Sequence, residues 1–477
     1  MNASQLPISG PTLAVFKLLD PVLKSLLQQV TIYHELTKSL PVDEKLLERW
    51  IVTVQSQVGI LGQLSNAIQT LDRALGPGLV GLAQYLSLPL TAIFHISNDL
   101  TNEPTTIPVI ASHLRNLQTS AAKTILIYVE TIKSSTGPTI LSLPSQHVCQ
   151  FLVALTTAIP YKISNDTVPA SLEDGTNGWL AIMHSIQALL HACPPSDLQK
   201  ALEHNLIVRL VDCATSLLTT SLDTLQLESL QILMRLMELL SDDCTLWQSM
   251  FPGILADILK CLGSGRHRRA ATGVEATCLQ CMGQLLVVTL KPIPKEQSQS
   301  VPSTSVSSAA ALLQKIQLQA TTLSRKSNHS PTAPPCATKP NFLSLVQEKA
   351  AIPLSRTLEQ WVTSKSISVQ LQVLQLCRVI LVDTAPCWTG TSLSLVALEC
   401  CLILQNDANE EGMSKTKKKM TRIFAFAIWN RLFLLFSKSC DVVFVAGSLV
   451  QRLSRKRQSR SCLVIDNKLA PNTAWQF

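Results

Sequence analysis

"LQLESLQILMRL" occupies residues 225–236, and "VQLQVLQLCRVI" occupies residues 369–380, 144 positions later. Gln226, Leu227, Leu230 and Gln231 recur as Gln370, Leu371, Leu374 and Gln375, and Leu236 and Met237 recur as Ile380 and Leu381. Neither copy contains Gly, Pro or His. The apolar positions fall at helical spacing. Leu227, Leu230, Met234 and Met237 form one stripe, and Leu225, Ile232, Leu236 and Leu239 form a second. A helix apolar on two sides must be covered on two sides. Stacked helical repeats meet that need, each unit covering its neighbour.

The same spacing predicts helices at 12–38, 43–75, 79–97, 106–135, 145–160, 177–193, 196–219, 223–240, 247–263, 270–290, 342–363, 367–383 and 391–405. Pro21 and Pro89 fall inside two of these windows and mark places where a window holds two helices. Breaks are predicted at Leu40-Pro41, Gly76-Pro77-Gly78, Gly137-Pro138, Pro194-Pro195 and Gly263-Ser264-Gly265. No stretch alternates as a strand would. Residues 292–340 are rich in Ser, Thr, Pro and Gln and read as a disordered linker, with a short helix expected at 308–322. Removing those 49 residues from the offset of 144 leaves 95, or two units of about 47. That lies within the HEAT and armadillo range of roughly 40–47 residues.

The fold expected is therefore all-α, a HEAT-like α-solenoid of antiparallel helix pairs. The alternative is an irregular bundle in which two Leu-rich helices coincide. The parts are N-terminal HEAT-like repeats over 1–291, the linker over 292–340, further HEAT-like repeats over 341–414 and a basic, Phe-rich atypical tail over 415–477.

Composition agrees with packed helices. Of 477 residues, 46% are hydrophobic but only 5% aromatic, and Gly numbers just 17. The N-terminus MNASQLPISG lacks the basic and apolar segments of a secretory signal. No apolar run is long enough to span a bilayer, and the best, Ile423 to Phe436, is interrupted by Asn430 and Arg431. The 14 Cys, including Cys213, Cys261, Cys377 and Cys400, sit mostly on apolar helix faces. They read as buried thiols of a reducing compartment. Without a signal, the sequon Asn165-Asp166-Thr167 carries little weight.

The net charge of +8 is unevenly placed. Residues 415–477 hold 13 of the 40 Lys and Arg and 2 of the 32 Asp and Glu, and residues 1–414 keep 27 and 30, a net of −3. The main body thus has no electrostatic footprint for nucleic acid. The tail also holds 6 of the 11 Phe. This shift reads as an unrelated C-terminus, from a splice form or a gene model running into an intron. The functional alternative is nuclear localisation or phosphate binding through "KTKKK" and "RKRQSR".

Motifs of chemistry are sparse. Gly76-Pro77-Gly78-Leu79-Val80-Gly81 matches GxGxxG, but a helical stretch precedes it and Pro77 has no N–H, so an interhelical turn is expected. Cys278 and Cys281 form a CxxC without a second ligand pair, His267 being the nearest His, and read as buried thiols. His184 and His191 can share a helix face, with no clustered carboxylate in the sequence to orient them. Asp242-Asp243 and Glu410-Glu411 read as solvated loop acids. GxSxG, HExxH, Walker A and kinase signatures do not occur. No catalytic, cofactor-binding or metal-binding residue is assigned, and the chain is expected not to be an enzyme.

Five stretches, taken in order, resemble the Tel-two-interacting protein one family. They are "LAQYLSLPLTAIF" (82–94), "WLAIMHSIQALLHAC" (179–193), "LESLQILMRLMELL" (227–240), "MFPGILADILKCLGSG" (250–265), in which Phe251-Pro252-Gly253 opens a helix, and "SVQLQVLQLCRVIL" (368–381). The resemblance covers roughly residues 10–410. It implies a long HEAT-repeat subunit of the Triple-T (TTT) complex, of which this chain resembles the N-terminal part. The implied role is scaffolding. Together with the Tel-two protein, the third TTT subunit and the Hsp-ninety machinery, it would support maturation and stability of phosphatidylinositol-3-kinase-related kinases (PIKKs). It implies no cofactor, no membrane and no catalytic residue, and a cytoplasmic location with the nucleus as a second compartment. The competing expectation is a HEAT-repeat adaptor for nucleic acid or nuclear transport, using the basic tail.

Overall fold

The computed structural model describes residues 10–38, 44–101, 108–135, 142–159, 172–264, 273–290, 340–388 and 391–407. The expected helix at 308–322, the sequon, His267, Glu410-Glu411 and the basic tail lie outside these residues. All of the elements among the described residues are helical. In chain order the α-helices are α1 (Gly10–Thr37), α2 (Glu44–Gln69), α3 (Gly76–Val80), α4 (Ala83–Thr101), α5 (Pro108–Ser135), α6 (Ser145–Thr157), α7 (Leu172–Leu190) and α8 (Pro195–Ala201). They continue with α9 (His204–Leu218), α10 (Asp223–Leu239), α11 (Cys244–Ser264), α12 (Val274–Leu290), α13 (Pro340–Trp361), α14 (Ile367–Arg378) and α15 (Leu393–Asp407). No helix among the described residues is long and apolar enough to cross a membrane.

The chain forms two compact units, one of Met1–Asp242 with Gly253–Cys281 and one of Asp243–Pro252 with Met282–Phe477. In the first unit the long helices pack in two series. Helix α1 packs on α4, α4 on α6 and α6 on α9, while α2 packs on α5, α5 on α7 and α7 on α10. The series are joined by α1 on α2, α4 on α5, α6 on α7 and α9 on α10. Each interior helix therefore has neighbours on more than one side, as the double stripe requires. On α10, Leu225, Leu230, Ile232, Leu233, Leu236, Met237 and Leu239 are all buried. Burying one such side chain contributes about 1.5–3 kcal/mol. Leu227 and Met234 of the first expected stripe are only half-buried, and Leu233 takes their place in the core.

Specific pairs give direction to this packing. Phe16 meets Tyr85, and Tyr33 Oη lies 3.2 Å from Ser97 Oγ, so α1 and α4 run the same way. Ser185 Oγ donates to Ala122 O at 2.8 Å, and Lys133 Nζ donates to Ala188 O at 3.1 Å, so α5 and α7 also run the same way.

The two sequence copies adopt one local geometry. Helix α10 begins at Asp223, and α14 begins 144 positions later at Ile367. Thr220 N bonds Leu217 O, and Ser364 N bonds Trp361 O, closing the same turn before each helix. Gln226 Nε2 then reaches back to Thr220 O at 2.5 Å and Leu218 O at 3.1 Å. Gln370 Nε2 reaches Ser364 O at 2.9 Å. In both copies the Gln satisfies a carbonyl that the preceding helix or turn leaves unpaired. The copies diverge at their ends. Residues Val379–Asp383 form a π-helical turn, in which Thr384 N and Oγ1 both donate to Val379 O at 2.8 and 2.9 Å. The buried Trp388 holds that turn by donating Nε1–H to Thr384 Oγ1 at 2.8 Å.

Several expectations are corrected. Pro21 and Pro89 do not divide their windows, since α1 and α4 run through them, as α11 runs through Pro252. An interior Pro costs about 3 kcal/mol. In α1 the buried Leu19, Leu23 and Leu26 flank the Pro and offset that cost. Phe251-Pro252-Gly253 therefore lies inside α11 rather than opening a helix. The window 196–219 does divide, because Leu202 turns extended between α8 and α9. No Gly or Pro marks that break; the buried Leu198 and Leu206 on either side of it are held by packing.

Candidate functional site

Four features single out residues of possible chemistry in the sequence, and the structure gives each a setting. The GxGxxG stretch forms the short helix α3 rather than a plain turn. Its glycines serve close packing. A Cβ on Gly78 would lie 2.6 Å from Pro11 O, and one on Gly81 would lie 2.7 Å from the Thr12 side chain. A Cβ on Gly76 would overlap Ser135. Tyr128 Oη donates to Leu79 O at 3.0 Å, pinning α3 to α5, and full burial pushes that phenol's pKa up. The backbone is thus used against protein, not phosphate.

Cys278 and Cys281 are buried on α12, as their spacing suggests. Cys278 Sγ lies 3.7 Å from Cys261 Sγ, a neighbour 17 residues earlier. The contact with Cys261, then burial, raises the Cys278 pKa, and burial alone is the main cause for Cys281. In the second unit Cys377 is raised by contact with Cys400 and Cys401 and by burial. Thiols so raised are poor nucleophiles and poor metal ligands. Among the described residues no group of three or more His, Cys, Asp or Glu is placed to hold a metal ion.

Asp243 is not simply a solvated loop acid. Its Oδ1 accepts from Leu246 N at 3.1 Å and Thr245 Oγ1 at 2.9 Å, capping the start of α11.

His184 on α7 opens a polar ladder to α10, whereas His191 lies beyond the end of α7, in a turn where its N–H bonds Ala188 O at 3.2 Å. His184 Nε2 lies 3.3 Å from Glu228 Oε1 on α10, so a carboxylate does orient it, supplied from 44 residues away. Gln187 Nε2 donates to Gln231 Oε1 at 2.5 Å. Burial, then the charges of Arg235 and Lys133, lower the His191 pKa, while Glu238 opposes them. Both contacts keep one offset of 44 residues, at 184 and 228 and at 187 and 231. Helices α7 and α10 therefore run the same way with their polar faces in register.

Lys133 of α5 donates its Nζ–H to Ala188 O at 3.1 Å, in the last turn of α7. Burial, more than Arg235, lowers its pKa, and Glu130 opposes the shift. Arg235 gives one Nη1 bond to Glu238 Oε2 at 3.2 Å, and its buried Nε has no hydrogen-bond partner. Glu228 Oε2 is also buried without one. Sequence reading places His184 and His191 on one face but misses Glu228, Arg235 and Lys133. The 44-residue offset is a signal for Glu228, and Lys133 lies outside it. No family model matches the chain, and no curated protein and no solved structure matches it.

Proposed function

We propose that this chain is a non-enzymatic scaffold of the TTT co-chaperone complex, which supports maturation and stability of PIKKs and is built as a HEAT-like α-solenoid of antiparallel helix pairs. The observation that carries the solenoid is the 44-residue offset shared by two contacts between α7 and α10, whose length falls in the range of about 40–47 residues for HEAT and armadillo units. Two packed series of helices and the recurrent Gln capping of α10 and α14 also support it. In such an array successive helices of one series run alike, because each pair returns the chain to its starting side. The resemblance of five ordered stretches to the Tel-two-interacting protein one family supports the partners. They would be the Tel-two protein, the third TTT subunit, PIKKs and the Hsp-ninety machinery, met in the cytoplasm and also in the nucleus.

Affinity purification of the full chain from cells, read by mass spectrometry, tests the proposal. Recovery of the Tel-two protein with PIKKs is expected. Recovery of RNA-binding proteins or importins without them would favour the adaptor reading, which rests on the basic composition of residues 415–477.

A further inference from the structure

Two thiols of the first unit meet where α11 ends and α12 begins. Cys261 stands in the last turn of α11, and Cys278 in the second turn of α12. Both are free cysteines, at 3% and 0% exposure, and their sulfurs lie 3.7 Å apart. A disulfide bond is about 2.05 Å long, so closing one asks the two sulfurs to approach by less than ~2 Å. Helix ends open at lower free energy than helix middles, which gives a small reagent a way in. The pair is also polarised. Cys278 donates its S–H to Cys261 Sγ. That bond, then burial, keeps the proton on Cys278. Cys261 is therefore the sulfur left to ionise first, and the thiolate is the form that attacks.

We propose that Cys261 and Cys278 form a redox modification site, which hydrogen peroxide converts from two thiols into one disulfide. Cys261 gives up its proton, and its thiolate attacks one peroxide oxygen. The O–O bond breaks, Cys261 becomes a sulfenic acid, and the released hydroxide takes up the proton as water. Cys278 Sγ then attacks Cys261 Sγ. The S–O bond breaks, the Cys278 proton leaves with the departing hydroxyl as a second water, and the S–S bond forms. Two thiols lose two electrons, and one peroxide is reduced to two waters. Contact between the sulfurs lets the poorly acidic Cys278 act here, because its proton passes to the leaving oxygen. The product ties α11 to α12 across 17 positions of chain and holds their adjoining ends together. A thiol reductant reverses it. The inference goes beyond the scaffold reading and does not depend on it.

Peptide mapping of the full chain tests this. The chain is treated with hydrogen peroxide, blocked with N-ethylmaleimide in denaturant and read by mass spectrometry without reductant. The expected result is a cross-linked pair of peptides holding Cys261 and Cys278, lost on adding dithiothreitol. Hydrogen exchange at the end of α11 and the start of α12 should slow by roughly ten-fold or more on oxidation, since the cross-link removes chain entropy from the open state. Cys278→Ala should abolish the cross-link and leave a Cys261 sulfenic acid that dimedone traps. Cys281→Ala, one turn farther along α12, should leave the cross-link unchanged. Circular dichroism melting confirms that each variant folds, and the map of the unaltered chain decides the matter if Cys278→Ala does not. The proposal is overturned if Cys261 and Cys278 stay reduced while the half-buried Cys149 is oxidised. A cross-link of Cys261 to Cys281, or one that forms no faster in the native chain than in urea, overturns it as well.

Discussion

Replacing Gln226 by Met isolates the interaction that marks the repeated turn. Met keeps the length of the side chain and removes both donors. Gln226 is fully buried and its Nε2 serves two carbonyls, Leu218 O and Thr220 O. Each such bond contributes about 0.5–1.5 kcal/mol net, and a buried acceptor left unpaired costs about 1–3 kcal/mol. The loss should therefore be about 2–4 kcal/mol. Gln370 is half-buried and bonds one carbonyl, Ser364 O, so Gln370→Met should cost about 0.5–1.5 kcal/mol. Two compact units make a single unfolding curve hard to interpret, so local opening is the better quantity. Native-state hydrogen exchange, read by mass spectrometry on peptides covering α10 and α14, measures it. A loss of 2–4 kcal/mol speeds exchange in α10 by roughly 30- to 1,000-fold at about 1.4 kcal/mol per decade. Gln63→Met on the exposed face of α2 is the control. Exchange in α10 no faster than that control would refute the capping role. So would a larger effect at Gln370 than at Gln226, because the bond count then fails to rank the two sites.

Gly62→Ala should stabilise α2 by about 0.5–1 kcal/mol, since its Cβ meets nothing within 4 Å. Gly78→Ala should instead loosen α1 from α3, and proteolysis that cleaves α1 faster in that variant alone would show it. Leu230→Asp and Leu374→Asp each put a charge at a site no more than 1% exposed, and should cost several kcal/mol. Normal protease resistance in both would show that these faces are not core. Burial pushes the Cys213 thiol up to about 12, and Cys278, Cys281 and Cys377 are also raised. A raised thiol stays protonated at pH 8, so iodoacetamide should label these four only after denaturation. Rapid labelling in the native protein would contradict their burial.

What the sequence determined by itself was the helical character and the content of the core. Apolar spacing near 3.6 residues located α1, α10, α12, α13 and α15 to within a few residues, because hydrocarbon must leave water wherever the chain turns. The double stripe on residues 225–239 and its echo at 369–380 are local patterns, and both lie on helices with the same start. Tertiary structure alone decided the rest. Pro21 and Pro89 stay helical because buried neighbours outweigh a local cost, and Leu202 breaks a helix with no local signal. The sequence puts His184 and His191 on one face, but the partners that give them a setting, Glu228, Arg235 and Lys133, lie on other helices. Local periodicity records which side of a helix is dry. Which residue stands opposite depends on the stacking offset, a property of two helices together and written in neither one.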